Sequence, residues 1–386
     1  MDRSKFPPMV NGRPQFDLES GKYVKMWNGP QHPGVTGNMA LEVVLSGDEV
    51  VDLQTHVGYL HRGFEKLMER RLYIQNFPLV CRICVPEPDT NEYLYAAAVE
   101  ELAGLEVPER ALWLRTLTLE MSRLASYIMW LGGQAGSFGM GTVGQWAVAV
   151  RDYVLDLFEA ISGGRIYHMY ITPGGVRDVL PEGFDADLER VLKQVEKFMH
   201  DADIVLFHNA VFKKRTKGLG MITPEMIDPY GILGPNARAA GSVRDVRKDA
   251  PYLIYDQLDF DVVTGTVSDA YHRARCRFQE IHQSISLIRQ IMEAMPRSGE
   301  FHHRPPNVLH WRIPAGETYV KAESTRGEYG YYVVSDGSTM PRRVYVKGPS
   351  YTHAVALFEH MAVGTNYADL PGLMVSLHTY PPEIER

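Results

Sequence analysis

Cys81-Arg82-Ile83-Cys84-Val85-Pro86-Glu87-Pro88 is the stretch from which the rest of the chain is read. It holds two of the three cysteines, an arginine between them, and two prolines. Proline lacks an amide proton and fixes its backbone angle, so it halts a helix that reaches it. The stretch is therefore a stiff corner carrying two thiols and a guanidinium. A Cys-x-x-Cys corner is half of a four-ligand metal site, a redox dithiol or a structural turn, and by itself it leaves all three open.

Helical patterns lie on both sides of the corner. Gly63 to Asn76 predicts a helix before it, and Asp89-Thr90-Asn91-Glu92 predicts a capping box that opens a helix to Ala103. Pro108–Leu131, with Pro108 suited to a helix start, Gln145–Ile161 and Asp185–Phe207 continue the helical reading. Ser268–Met295 is the clearest case, because Tyr271, Arg275, Phe278, Ile281, Ile285, Ile288, Met292 and Met295 recur every three or four residues. Cys276 lies beside that stripe and reads as a packed small side chain.

Farther out the period changes to two. Lys22–Trp27, Met39–Leu45 and Glu49–Thr55 predict strands, with Ser46-Gly47-Asp48 turning between the last two. Between the first two, Gly29-Pro30-Gln31-His32-Pro33-Gly34 is a rigid turn or a site wall, since proline fixes angles and glycine allows close approach. From Pro305 the chain is extended again, and Tyr329–Val334 and Arg342–Val346 flank a predicted hairpin at Ser335-Asp336-Gly337-Ser338. The expected fold class is α+β, mainly helical. Residues 1–20 are an arm and 21–386 one domain, made of a small sheet (21–58), a helical core (59–300) and a β-rich segment (301–386).

Composition narrows the function. With 45% hydrophobic and 23% charged residues, the 386-residue chain is that of an ordinary folded protein. A net charge of −7 and no dense basic stripe argue against nucleic-acid binding. Three cysteines give no disulfide framework, so a reducing, cytoplasmic setting is expected. The N-terminus lacks the apolar core of a signal peptide, and no apolar run reaches ~20 residues without charge. The nearest, Ala111–Leu131, carries Arg115, Glu120 and Arg123 and reads as a buried helix.

Gly139-Met140-Gly141-Thr142-Val143-Gly144 matches the spacing of a dinucleotide fingerprint, but a long helix precedes it where that motif requires a strand. It reads as a close-packed helix junction. Neither His302-His303 nor His56 with His61 completes a tetrahedral set around Cys81 and Cys84, so no metal is expected.

Gly29-Pro30-Gln31-His32-Pro33 followed by Gly58-Tyr59-Leu60-His61-Arg62-Gly63-Phe64-Glu65-Lys66 resembles the D-type (49-kilodalton-type) subunit family of respiratory complex I, the NADH-quinone oxidoreductase. Glu120-Met121-Ser122-Arg123-Leu124-Ala125-Ser126, Asp156-Leu157-Phe158-Glu159, Pro173-Gly174-Gly175-Val176, Gly234-Pro235, Arg238-Ala239, Gly241, Asp245, Arg247-Lys248, Pro251-Tyr252 and Ser335-Asp336-Gly337 extend the likeness over nearly the whole chain. That family is similar to the large subunit of nickel–iron hydrogenases. The resemblance implies a hydrogenase-like helical core and a substrate chamber shared with a small iron–sulfur subunit, like the B component of complex I, that carries a 4Fe-4S cluster. Further implied partners are C-like and I-like peripheral chains, and H-like and antiporter-like membrane chains that move ions. The chain itself would bind no cofactor and would sit peripherally on the cytoplasmic face of the membrane.

Several positions depart from the relatives. Hydrogenases ligate nickel and iron through two Cys-x-x-Cys pairs; Cys81 and Cys84 match the first, and the second would fall at Tyr380 and Glu383, leaving too few soft ligands. Quinone-reducing members carry a histidine, a tyrosine and an aspartate where Thr36, Val85 and Ser137 stand. The string at 82–89, Gly144-Gln145-Trp146, Tyr167-His168-Met169-Tyr170 and Pro381-Pro382-Glu383-Ile384-Glu385-Arg386 look most like a third branch, the large subunit of membrane-bound sulfane sulfur reductases. Members of that branch carry a cysteine where Tyr380 stands. The resemblance thus implies reduction of a sulfur species, with a quinone acceptor or a non-catalytic scaffold as alternatives. Cys81 and Cys84 are the candidate catalytic thiols, with Arg82 able to favour a thiolate. His32, Thr36, His56, Val85, Ser137, Tyr380 and Glu383 are candidate chamber residues. Arg82 and His168, the latter with Tyr167 as its alternative, are expected at the cluster interface.

Overall fold

The computed structural model describes residues 9–10, 13–305 and 307–386. Most of the expected arm, residues 1–8 with 11 and 12, lies outside that set. The predicted small sheet is present as an antiparallel meander of β1 (Val24–Asn28), β2 (Ala40–Ser46) and β3 (Glu49–His56), with Gly47 turning at positive φ. β2 is central, so its residues bury Leu41, Val43 and Leu45 against Leu357, Phe358, Leu373 and Leu377 near the C-terminus. The amide and hydroxyl of Thr55 both donate to Glu359, at 2.7 and 2.6 Å, and tie the sheet to that segment. The first strands therefore pack on the last helices.

The core is built from α1 (Pro88–Ala103), α2 (Glu109–Ser137), α3 (Gly141–Ser162), α4 (Phe184–Ala202) and α5 (Ala270–Ala294). α2 is buried on nearly every side, including its charged residues Arg115, Glu120 and Arg123. A buried charge is tolerated only with partners. Arg115 accordingly pairs with Glu100, while Glu120 accepts from Tyr255 at 2.6 Å and Ser284 at 2.7 Å and lies 3.3 Å from Arg123. The glycine-rich junction joins α2 to α3, so no strand precedes it. A Cβ on Gly132 would lie 2.7 Å from that of Ala147, and one on Gly144 3.2 Å from the Gly132 carbonyl, which accounts for both glycines by packing.

Three local expectations are corrected. The helix expected over Gly63 to Asn76 is broken into an α-helix, Phe64–Met68, and a 3-10 turn, Tyr73–Asn76; the Asn76 side chain donates back to the Met68 carbonyl at 3.1 Å, and the helix Phe77–Val80 runs into the cysteine corner. No capping box opens α1. Its N-cap is Glu87, and Asp89 and Glu92 turn to partners across the fold instead. The β-rich segment is limited to β4 (Gly316–Ser324), β5 (Gly327–Ser335) and β6 (Arg343–Lys347), with β5 central, and short helices fill the rest to Ile384. Pro371, Pro381 and Pro382 occupy first turns there, where the missing amide proton costs nothing, so they start helices.

Candidate functional site

β4 and β5 pair with Ser324 opposite Gly327, so Thr325 and Arg326 form the whole turn. Gly327 sits at φ +127, and a Cβ there would meet Leu233 at 2.6 Å. Glu87, one residue past the cysteine corner's first proline, holds the tip. It accepts from the Thr325 amide at 2.8 Å and the Thr325 hydroxyl at 2.7 Å, and pairs with Arg326 at 2.6 Å. The cysteine corner and a turn more than two hundred residues later are thus locked together.

Beside this junction is a cavity of about 640 Å³. Its walls include Pro33, Gly34 and Val35 from the first loop, Pro86 from the corner, Trp130, Gly133 and Ser137 from the end of α2, and His378, Thr379 and Tyr380 from the C-terminal segment, with Arg326 at one side. His378 is a non-glycine residue at φ +53, in contact with the rings of Trp130 and Tyr127. Strain of that kind persists where surrounding packing enforces it. Burial, with Arg326 and Arg277 nearby, holds His378 well below the usual histidine range.

Arg326 is the hub. Its Nη2 lies 2.7 Å from the Cys84 sulfur, its Nε 3.4 Å from Glu383, and its guanidinium 5.8 Å from the centre of the Tyr380 ring. Burial pushes the Cys84 thiol well above its ordinary value, although Arg326 pulls the other way and Glu383 and Glu87 add to the rise. Cys81 is pushed up to about 12, by burial first and by Glu92, against the opposing pull of Arg82. Arg82 thus pulls toward a thiolate at Cys81, as expected, but does not prevail over burial. Arg82 does reach the Cys81 sulfur, at 3.2 Å, but both sulfurs are fully buried and desolvation of a thiolate outweighs one partly exposed guanidinium. Burial likewise raises Glu383 despite Arg326.

The candidate residues separate into groups. Ser137 and Tyr380 line the cavity, and the Val85 main chain hydrogen-bonds the Tyr380 hydroxyl. Glu383 is buried behind Tyr380, where it accepts from the Ser350 amide at 2.9 Å. His32 is exposed next to the lining loop and accepts from the Gly34 amide at 3.1 Å. Thr36 begins a single helical turn just beyond Val35, and its side chain is not among those described. His56 is not in the cavity wall: it ends β3 with its ring 5.1 Å from that of Trp27. Ser137 spends its hydroxyl on the Gly133 carbonyl at 2.8 Å, within its own helix. Arg326, Trp130 and His378 were not foreseen. The period-two run Thr318 to Ser324 followed by Arg326-Gly327 is the hairpin signal that could have placed Arg326.

On the other side of the corner, Arg82 lies 4.5 Å over the Tyr167 ring and donates to the Pro78 carbonyl at 2.7 Å. His168 stacks on Phe158 at 3.8 Å and meets Asp89 at 2.9 Å through Nδ1. Burial alone would lower its pKa, but Asp89 and Glu92 carry it above the usual value. Glu92, which accepts from the Met169, Tyr170 and Ile171 amides, is raised to about 8 by burial and by Asp89. His168 Nε2 is a buried nitrogen without a partner among the described residues, and Met169 beside it has φ +45. Arg82 is the partly exposed cation at this edge, and the His168 ring lies buried directly behind it. A nickel–iron centre does not fit: Tyr380 and Glu383 replace two thiolates, and the Cys84 sulfur is already engaged by a guanidinium.

Comparison with known proteins gives the family and the fold. The family model described as the respiratory-chain NADH dehydrogenase 49 Kd subunit matches residues 137–311 and 302–386. The D subunit of the NADH-quinone oxidoreductase of Thermosipho melanesiensis is 43% identical over 365 residues, covering 94% of this chain and 99% of that protein. The D subunit of the F(420)H(2) dehydrogenase of Methanosarcina mazei is 37% identical over 372 residues, covering 96% and 99%. Among solved structures, a chain of the membrane-bound sulfane sulfur reductase, an archaeal respiratory membrane complex, matches with a TM-score of 0.92 at 39% identity, covering 96% of this chain and 100% of that one.

Proposed function

The chain belongs to the family of the respiratory-chain NADH dehydrogenase 49-kilodalton subunit, and from that premise we propose that it forms the acceptor chamber of an ion-translocating membrane oxidoreductase that reduces sulfane sulfur. It is the D-type subunit of a complex I-type oxidoreductase. The observation that carries the acceptor is the cavity wall at Ser137, with Val85 beside it, its main chain bonded to the Tyr380 hydroxyl. Reducing a quinone requires protons on two oxygens from donors within reach. At the positions where quinone-reducing relatives are expected to hold a tyrosine and an aspartate, this chain has Val85 and a Ser137 whose hydroxyl is already used. A sulfur chain needs no such pair. Two electrons break one sulfur–sulfur bond, and both fragments leave as stable sulfur anions.

The electrons would come from a 4Fe-4S cluster on a small subunit akin to the B component of complex I, seated against Arg82, Tyr167 and His168 and fed by ferredoxin or an NAD(P)H-linked carrier. Within this chain, Arg82 and the Asp89–His168 pair would set the potential at that edge, while the apolar wall around Trp130 and Pro86 would exclude water from the bound acceptor. Because burial keeps Cys81 and Cys84 protonated, direct electron delivery to the sulfur chain is favoured over attack by either thiol. C-like and I-like peripheral chains and H-like and antiporter-like membrane chains complete the complex. Among the described residues no helix is long and apolar enough to cross a membrane, in keeping with a peripheral place in the complex; the reading puts the chain on the cytoplasmic face. The test is turnover by the purified complex. Polysulfide reduction well above quinone reduction is expected, and quinone turnover at roughly 10 per second or more, a typical enzymatic rate, would refute the reading.

A further inference from the structure

We propose that the chamber selects anionic acceptors, with Arg326 as the specificity-determining residue that holds the charged end of the sulfur chain. This rests on the sulfane sulfur reading. Arg326 is 1% exposed and lines the cavity, and its Nη1 is a buried donor with no partner among the described residues. A guanidinium that leaves a donor unused next to an open cavity is built to receive an acceptor atom there.

The charge behind the wall points the same way. Arg277 lies 4.7 Å from the Trp130 ring that faces the cavity. Its donors go to Asn236 at 2.8 Å and to the Ser376 and Arg273 carbonyls at 3.3 Å. Arg273 donates to the Gly220 and Ser268 carbonyls, at 2.6 and 2.7 Å, and to the Ser376 hydroxyl at 2.6 Å. Both arginines are fully buried, neither hydrogen-bonds a carboxylate among the described residues, and both retain an unpartnered Nε. Glu280, the carboxylate whose charge acts on Arg277, is engaged by Arg238 at 2.7 Å. Of the three arginines, Arg326 alone is ion-paired among the described residues, with Glu87 and Glu383; Asp269 acts on Arg273 and Glu280 on Arg277 only through space, without a hydrogen bond. Burial first, then repulsion from Arg277 on Arg273 and from Arg238 on Arg277, outweighs the pull of Asp269 and Glu280 and lowers the two arginines, to about 9 for Arg273 and about 10 for Arg277, yet both remain cations at neutral pH. Uncompensated buried charge is costly, and a bound anion relieves it, whereas a neutral acceptor does not.

The experiment compares an anionic with a neutral acceptor of similar sulfur content: tetrasulfide dianion and dimethyl trisulfide, each reduced by the purified complex. For Arg326→Met the ratio of kcat/KM values, anion over neutral, is expected to fall tenfold or more, and Arg326→Lys, which keeps the charge, is expected to hold it within about threefold of the unmodified complex. A ratio that does not move in Arg326→Met, or that falls equally in Arg326→Lys, overturns the inference, since a merely structural role would depress both substrates alike. If Arg326→Met fails to assemble, Arg277→Met replaces it, and an unchanged ratio there overturns the inference equally. If the unmodified complex reduces a quinone and neither sulfur compound, the functional reading has failed. Charge selection is then read separately, as competitive inhibition of quinone reduction by tetrasulfide that weakens in Arg326→Met; no such inhibition overturns it as well.

Discussion

Replacing Glu87 by alanine removes the carboxylate from which the Thr325–Arg326 turn hangs. Three interactions go at once: the Thr325 amide at 2.8 Å, the Thr325 hydroxyl at 2.7 Å and the Arg326 ion pair at 2.6 Å. Glu87 and Arg326 are each 1% exposed, so the loss leaves an arginine buried with only Glu383, 3.4 Å away. Breaking a buried pair by deleting one partner costs about 3–5 kcal/mol. At 1.4 kcal/mol per factor of ten, the amides of Thr325 and Arg326 should exchange with deuterium roughly 100- to 3,000-fold faster if opening of this turn controls exchange. Glu87→Gln keeps one acceptor oxygen for the Thr325 amide and removes the charge, so its effect should be smaller, about 1.5–3 kcal/mol. The assay is hydrogen–deuterium exchange with peptide-level mass spectrometry on the assembled complex, with α4 as an internal reference far from the change. Exchange at Thr325 in Glu87→Ala indistinguishable from the unmodified complex would refute the reasoning, because it would mean that the turn is held by its strands alone.

Iodoacetamide is expected to leave Cys81 and Cys84 unmodified at pH 8 in the folded complex and to label them after denaturation, as both are fully buried; prompt labelling of either would reverse the assignment. Because the Cys81 pKa rises from 9.0 to about 12 on folding, its contribution is intact below pH 9 and is lost as pH climbs toward 12, up to about 4 kcal/mol, so urea midpoints should fall over that window and fall less in Cys81→Ser. His353 behaves oppositely: burial, with Arg277 and Arg273, lowers it from 6.5 to about 3, so its contribution is intact above pH 6.5 and lost as pH drops toward 3. Acid unfolding midpoints measured across that range should shift downward in His353→Gln, and an unshifted midpoint would show that other groups control acid stability. Arg82→Met should lower the reduction potential of the partner's cluster in a redox titration, since a nearby cation favours the more reduced state; an unchanged potential would remove Arg82 from that edge.

Much of the helical and strand content was legible because it depends on local spacing. The three-strand meander, α3, α4 and α5 were readable from period two or period 3.6, and the helix junction from the helix preceding its glycines. Misreadings arose where a side chain answered a distant partner. Asp89 and Glu92 have the spacing of a capping box, yet both carboxylates serve residues 168–171, because a buried charge is held by whichever donors the fold brings to it. Val85, Ser137 and Tyr380 could be named from the resemblance alone, but the same reasoning placed His56 in a chamber it does not line.

The sequence by itself determined most of the elements, the cysteine corner and the residue types at Val85, Ser137, Tyr380 and Glu383, since each is a matter of local spacing or of residue type at a given position. Only the tertiary structure decided the electrostatics. Arg82 is the cysteines' neighbour in sequence, and from sequence it should activate them; in space both thiols are buried, and Cys84 is held by an arginine from a turn 242 residues away. Desolvation grows with the number of atoms packed around a group, and those atoms come from every part of the chain. The same is true of the charge behind the wall, where Arg277 on α5 lies against Trp130 on α2, the ring that lines the cavity.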